Sequence, residues 1–396
     1  MPDMHQVKSL YLSYDGLTDA LGQSQVLPYL CGLSAKGYLI TVISFEKLGS
    51  YLNNKDNIEQ ICAANDIQWK PQRYHKRPPI LSTLFDLYVL KNAVKKLLKS
   101  DEHQIVHCRS YLTSIIGLYA KRKWGTKFIF DMRGFWADER VEGGLWNLSN
   151  VIHRMIYAYF IGKEKLFVKE ADYIVSLTNN AKEEIESWGV KTAPIEVIPT
   201  CVDLQHFNPL TISEELRKNK RAELGVGPSD FLLVYAGSWG TWYLIKEITR
   251  FFEFLKKQSE HSRFLIVTPD RVKEPVSSDI IIIKAQRSEM PLLLSCANGF
   301  VFFIKPSYSK KASSATKLGE VMAMNVPVVT NAGWGDIDRY AGAGVIVLQN
   351  TSDEHLSYGA SELLKKKITS PDSQLESLSL SSGVKLYDQV YRNLNP

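Results

Sequence analysis

Residues 299–330 read GFVFFIKPSYSKKASSATKLGEVMAMNVPVVT. The stretch opens on an unbroken apolar run, Gly299–Ile304, and closes on a second, Val326–Thr330. Between them lie a polar loop and a helical pattern, Lys317–Met324. Two short aromatic and β-branched runs joined through a helix predict a parallel β–α–β unit, since parallel neighbours need a long crossover. Runs that are continuous rather than alternating mark strands buried on both faces.

The same grammar extends in both directions. Upstream and downstream in the second half, Phe231–Tyr235, Arg263–Val267, Asp279–Ile283 and Gly344–Leu348 read as strands, with helices at Leu244–Gln258 and Glu354–Lys366. In the first half the strands are Val7–Ser13, Leu39–Phe45, Gln104–Cys108, Lys127–Met132, Tyr173–Leu177 and Ile195–Ile198. Helical stretches Gln25–Lys36, Leu84–Leu98, Leu112–Lys123, Asn150–Glu170 and Ala181–Trp188 separate them. Such alternation predicts an α/β fold with helices on both faces of parallel sheets. The segment Pro199 to Ser229, with three prolines and the charged run Glu214–Lys220, reads as the connection between two domains. The expected division is 1–204, 205–380, and a last helix within 381–396 that follows a Ser-rich tail, 370–382, and packs on the first domain. Ligands of open parallel sheets sit beyond the carboxyl ends of the strands, so two such domains facing each other would frame a cleft.

The chain has 396 residues, 45% hydrophobic and 23% charged, ordinary values for a globular protein. A net charge of +6 spread over both halves does not mark a nucleic-acid binder. The five scattered cysteines argue against a disulfide framework or a zinc site and fit a reducing compartment. The opening Met1 to Lys8 lacks the apolar core of a signal peptide, and no run of membrane-spanning length occurs. Local basic stretches, His75 to Arg77, Lys95 with Lys96 and Lys99, and Lys121 to Lys123, read as solvated faces, or as contacts with anionic lipid. The apolar residues of Asn150–Glu170 (Val151, Ile152, Met155, Ile156, Tyr159, Phe160) read as a core-facing stripe, with a lipid-facing surface as the other reading.

Four motifs lie just after strands. Ser13–Gln25, SYDGLTDALGQSQ, combines small residues with a helix start. It lacks the dinucleotide and P-loop glycine spacings, so a nicotinamide or P-loop site is unsupported. Phe130–Arg140, FDMRGFWADER, packs charges, glycine and aromatics together, with Asp131 and Arg133 expected to face the cleft. Lys305–Glu320 offers Ser313, Ser314 and Thr316 hydroxyls, several lysines and a helix N-terminus, a combination that suits a phosphate. Glu320, one turn into that helix, can accept hydrogen bonds from a ribose diol. Val234–Tyr243, VYAGSWGTWY, permits backbone approach at Gly237 and Gly240, beside aromatics that could flank a ring.

In this order the motifs resemble family 4 glycosyltransferases of the GT-B fold. The most specific pieces are Asp15-Gly16 with Leu21 to Gln25, Val197 to Asp203, and Thr316 to Glu320 followed by Pro327 to Val329. The resemblance implies two Rossmann-like domains across a cleft. It implies transfer of a sugar from a nucleotide-activated donor, with retention, no metal and no cofactor, to a glycan or lipid-linked acceptor in polysaccharide biosynthesis. It implies a cytoplasmic enzyme, peripheral on the inner face of a bacterial plasma membrane, with possible contact with anionic lipid and no nucleic-acid partner. Glu320 matches the second acid of the family's paired glutamates, while Ala312 stands where the first would be. The loop Gly237–Tyr243 carries Ser238, Trp242 and Tyr243 where the family has a pyrophosphate-gripping Arg and Lys, and Arg133 aligns with the usual histidine. Lys305, Lys310, Lys311 or Lys317 could return the missing charge. The expected catalytic residues are Asp131, Arg133 and Glu320. The expected donor set is Gly22, Gln23, Ser24, Gly237, Ser238, Lys305, Ser313, Ser314, Thr316, Lys317, Leu318 and Glu320, and the acceptor side holds Asp15, Arg109 and Trp136. Three alternatives stay open: a CMP-activated acidic sugar met by Arg133 or Arg109, a nucleotide-sugar epimerase, and a non-catalytic nucleotide-sugar binding protein. Acceptor contacts are expected from loops at Lys47–Asn57 and Lys70–Ser82.

Overall fold

A computed structural model describes residues 7–272, 277–342, 344–366 and 372–394. The first six residues of the opening segment, and positions 370–371 of the Ser-rich tail, lie outside them. The chain divides into two compact units, Met1–Pro199 with Leu380–Pro396, and Thr200–Ser379.

The first unit holds a parallel seven-stranded sheet: β1 (Lys8–Ser13), β2 (Leu39–Glu46), β3 (Gln68–Arg73), β4 (Ile105–Arg109), β5 (Lys127–Asp131), β6 (Tyr173–Ser176) and β7 (Ile195–Val197), in the order 3-2-1-4-5-6-7. Its helices are α1 (Ala20–Gln25), α2 (Leu27–Ser34), α3 (Leu48–Ala64), α4 (Leu81–Ser100), α5 (Ser110–Trp124), α6 (Trp136–Glu142), α7 (Val151–Glu170) and α8 (Asn179–Glu186). The second unit holds β8 (Phe231–Ala236), β9 (Ser262–Val267), β10 (Ile280–Ile283), β11 (Gly299–Val301), β12 (Val328–Asn331) and β13 (Val345–Leu348), all parallel, in the order 10-9-8-11-12-13. Around them lie α9 (Glu214–Glu223), α10 (Ile245–Gln258), α11 (Met290–Ser295), α12 (Thr316–Ala323), α13 (Asp353–Lys365) and α14 (Asp372–Ser377). Both sheets are doubly wound. Strand order reverses between β1 and β4 in one and between β8 and β11 in the other, which opens a ligand crevice at each carboxyl edge.

The central strands are buried end to end, as their continuous apolar runs require; Leu10, Leu12, Val234 and Phe300 are fully covered. Asn150 starts α7 by accepting from the Ile152 and His153 amides, and Gly125 ends α5 in the left-handed conformation. The last helix, α15 (Leu380–Leu394), belongs to the first unit and packs on α2. The approach is close: a Cβ on Gly32 would stand 2.4 Å from Val384 Cγ2.

Three sequence expectations change. Lys47–Asn57 is mostly the start of helix α3, and much of Lys70–Ser82 is strand β3 and the start of α4. β3 escaped notice because Pro71 breaks its pattern, which an edge strand tolerates. The connection between domains contains the charged, largely exposed helix α9, capped by Ser213. The apolar stripe of α7 divides: Val151, Ile152, Met155 and Tyr159 are exposed, while Phe160 is buried in a row with Glu164, Phe167 and Val168. A helix has one inward face, and the second row, at i, i+4, i+7 and i+8, occupies it.

Candidate functional site

In the second unit the crevice between β8 and β11 is bordered by two loops, Gly237–Leu244 and Lys305–Ala315. They are stitched together. Leu244 N donates to Phe303 O at 3.0 Å and Lys305 N to Trp242 O at 2.9 Å. β8 ends at Gly237, whose φ of +133° suits glycine alone. Over that turn stands Lys317, from the first turn of α12: a Cβ on Gly237 would lie 2.6 Å from Lys317 Nζ. The ammonium sits 3.7 Å from the Tyr243 ring centre and 4.8 Å from that of Tyr235, with Phe302 at 5.5 Å. It is buried and has no hydrogen-bond partner. Burial pulls its pKa from 10.5 to about 7, against the pull of Glu320. A buried cation without a hydrogen-bond partner, beneath a glycine turn and beside a helix start, is an arrangement ready for an anion.

The other donor candidates of this unit divide. Glu320 is mostly covered, and its Oε1 accepts from Arg287 Nη1 at 2.8 Å. Burial raises its pKa, with Arg287 opposing. Arg287, from beyond β10, lies over Phe207; nothing in the sequence announced it. Ser313 and Thr316 flank the start of α12, where Ala315 makes no side-chain cap. Ser314 is engaged elsewhere: its hydroxyl accepts from Thr200 N at 3.0 Å and meets Thr200 Oγ1 at 2.8 Å. Leu318 does not face the crevice. It packs in the core with Val321 and Met322, the inward row of α12. Lys305 and Ser238 are exposed on the loops. The Ser238 carbonyl accepts from Tyr235 OH.

In the first unit the crevice between β1 and β4 is built on a carboxylate the sequence reading missed. Glu46, closing β2, is buried and accepts from the Leu17 and Thr18 amides at 2.9 and 3.0 Å. This folds the loop after β1 so tightly that a Cβ on Gly22 would stand 2.0 Å from Gly16 O. Gln23 and Ser24 are tied to that turn: Gln23 Nε2 donates to Thr18 O and Ser24 Oγ to Ala20 O, both at 2.9 Å. An acid ending an apolar strand was the available signal for Glu46.

Sheet register places Ser13, Arg109 and Asp131 abreast at the carboxyl edge. Arg109 Nε reaches the half-exposed Asp15 Oδ2 at 3.5 Å. Asp131 does not face a cleft; it is fully buried. Its Oδ2 accepts from Tyr387 OH of α15 at 3.2 Å and lies 3.5 Å from His107 Nε2, and its Oδ1 is 3.6 Å from Arg133 Nη1. Burial pushes the Asp131 pKa up, but Arg133, His107 and Arg109 outweigh it and hold it below the ordinary value. Burial keeps His107 low. Arg133, at φ +57°, is nearly covered as well. Asp131 is therefore a buried partner of Arg133. Arg109 Nη1 and Arg133 Nη1 are buried donors without hydrogen-bond acceptors. Trp136 opens α6 and packs on Tyr111 and Phe160, with the Arg140 guanidinium 3.9 Å from its ring centre, so it serves the interior of this unit.

Residues 25–206 match the family model of Glycosyltransferase Family 4. The chain carries a Glycosyltransferase Family 4 segment. A curated relative, the D-inositol 3-phosphate glycosyltransferase of Nocardiopsis dassonvillei, is 27% identical over 138 residues; the match spans 35% of this chain and 30% of that protein's length. Solved structures similar over 98% of the chain and 99% of their own include a glycosyltransferase from Rickettsia africae (15% identity, TM-score 0.68) and a sucrose-phosphate synthase from Thermosynechococcus elongatus (13%, 0.70). Anabaena HepE, solved in complex with UDP and glucose, matches over the same shares at 11% identity and TM-score 0.67. At these identities the structures establish the GT-B fold, two Rossmann-like units, for the family 4 segment and the remainder of the chain.

Proposed function

We propose that this family 4 protein transfers a glycosyl group from a nucleotide-activated sugar to a glycan or lipid-linked acceptor, with retention at the anomeric carbon and without a metal. The observation that carries the reading is the unpaired, buried Lys317 ammonium under Gly237, beside the start of α12. It stands beside the loop where the two cations expected from the resemblance are absent, and so returns one charge to the donor phosphates. The α12 amides, with Ser313 and Thr316, add donors along the same edge. Glu320 is the acceptor for the ribose hydroxyls, with Arg287 holding it in place. As the glycosidic bond opens, negative charge grows on the leaving phosphate oxygen, and that oxygen takes the acceptor proton on the same face. The protein's part is to hold the leaving phosphate in a dry, positive setting and to orient the acceptor. In the first unit, Arg109 and Arg133 are the cations available to an acceptor, with Asp131 and Asp15 as their holders.

UDP-sugars are the first donors to test, because the HepE structure carries UDP. The experiment is a thermal-shift screen of UDP-, GDP- and CMP-sugars, followed by mass spectrometry of products with and without acceptor, with and without EDTA. Transfer to acceptor that survives EDTA supports the reading. Conversion of donor alone to an isomeric nucleotide sugar would instead make the protein an epimerase. Binding without any turnover, hydrolysis included, would make it a sensor.

A further inference from the structure

Arg109 ends β4 and Arg133 follows β5, so both stand at the carboxyl edge of the first unit's sheet, beside the point where strand order reverses. Arg109 is 4% exposed and the Arg133 side chain 9%. Each keeps a buried Nη1 donor without a hydrogen-bond partner, whereas buried donors are ordinarily paired. One buried carboxylate, Asp131, acts on both guanidiniums, and it is shared: its Oδ2 accepts from Tyr387 OH and lies 3.5 Å from His107 Nε2. Half-exposed Asp15 meets Arg109 only at Nε, at 3.5 Å, and Glu46 is engaged by the Leu17 and Thr18 amides. Burial keeps the pKa of His107 low, so the imidazole brings no charge of its own. Burial pushes the Tyr11 hydroxyl up, and both arginines pull against it, which puts the two guanidiniums beside one ring. Two buried cations thus face one buried anion.

Helix α5 starts immediately after Arg109 and adds to the same edge. Arg109 occupies its N-cap position and makes no side-chain cap, and the first turn holds no acid. The 15 residues of this helix therefore present the positive end of their dipole beside the Arg109 guanidinium. A guanidinium is a planar fork of N–H donors that matches the paired oxygens of a carboxylate or phosphate, and helix amides take the remaining lone pairs. A neutral hydroxyl would leave the extra positive charge of this crevice unmet; an oxyanion meets it and pairs both buried Nη1 donors.

We propose that Arg109, Arg133 and the start of α5 form an oxyanion subsite that selects an acceptor carrying a phosphate or carboxylate group. Assigning the ligand as the acceptor rests on the glycosyl-transfer reading; the anion site itself is tested without turnover. The test is isothermal titration of inorganic phosphate and of acetate into the full chain carrying Lys317→Met, which removes the unpaired cation of the second unit. At least one anion is expected to bind at millimolar concentration, and the tighter of the two names the group. Adding Arg109→Gln is expected to weaken that binding about tenfold or more. If that variant misfolds, Arg109→Lys, which keeps the charge and loses the fork, is expected to weaken it several-fold, and a crystal soaked with the anion should show it within hydrogen-bond reach of both Nη1 atoms. In transfer assays Arg109→Gln is expected to raise KM for an anionic acceptor about tenfold and leave KM for the donor unchanged. No binding of either anion to the Lys317→Met chain, or equal binding with Arg109 replaced, would overturn the proposal. So would a preferred acceptor that is neutral and whose KM the replacement leaves alone. Anion binding at Arg109 in a chain that transfers no sugar would refute the glycosyl-transfer reading and leave the oxyanion site standing.

Discussion

Lys317→Met separates a ligand-binding cation from a structural one, because the two roles predict opposite signs. The wild-type ammonium is buried without a hydrogen-bond partner, and its pKa falls from 10.5 to about 7. That fall corresponds to a cost on the order of 4–5 kcal/mol below pH 7, at about 1.4 kcal/mol per unit. The Tyr243, Tyr235 and Phe302 rings return part of it, at about 0.5–2 kcal/mol per cation–π contact, leaving roughly 2 kcal/mol. Between pH 7 and 10.5 the unfolded chain binds a proton that the folded chain does not, so wild-type stability rises with pH through that window. Methionine keeps the stem and removes the charge. The variant is therefore expected to melt higher than wild type by several degrees at pH 6–7, with the gap closing as pH rises toward 10. Donor binding is expected to move the other way, weakening about 10- to 100-fold with loss of a charge-assisted hydrogen bond. Thermal melts of the full chain across pH, with and without nucleotide sugar, read both. A variant that melts lower at every pH and binds donor normally would refute the reasoning.

Other substitutions probe neighbouring parts. Glu320→Ala is expected to weaken donor binding about tenfold or more while leaving the melt nearly unchanged, because Arg287 can turn to solvent; isothermal titration reads it. Gly237→Ala places a methyl 2.6 Å from Lys317 Nζ at a φ of +133°, so a loss of about 1–3 kcal/mol in stability and weaker donor binding are expected from denaturant melts and titration. Glu164 is held up at about pKa 8 by burial, with Tyr111 bonded to it. The folded chain thus keeps a proton that the unfolded chain loses between pH 4.5 and 8, and wild-type stability falls through that window. Glu164→Gln removes the fall, so its melting temperature relative to wild type should climb from pH 5 to pH 8.

The sheets were legible because parallel strands buried on both faces advertise themselves as continuous apolar runs. Twelve of them, from Val7–Ser13 to Gly344–Leu348, contain or overlap observed strands. Strand β3 was hidden because an edge strand has neither the burial nor the composition, and helix α3 because Gly49 and its asparagines give little propensity. The glycine turn and helix start of the second unit could be read from spacing alone. The choice of Lys317 among four lysines could not, since it depends on which side chain the crossover from β11 to α12 lays over Gly237. Asp131 was read as cleft-facing because sequence shows a strand-end charge but not the helix α15 that covers it with Tyr387. Arg287 and Glu320, 33 residues apart, meet only through the winding of the sheet.

The most direct measurement is a crystal structure of the chain soaked with a nucleoside diphosphate sugar. The account predicts phosphate oxygens within hydrogen-bond reach of Lys317 Nζ and the α12 amides, and ribose hydroxyls on Glu320. A nucleotide bound with its phosphates away from Lys317, or Lys317 still unpaired at full occupancy, would contradict it.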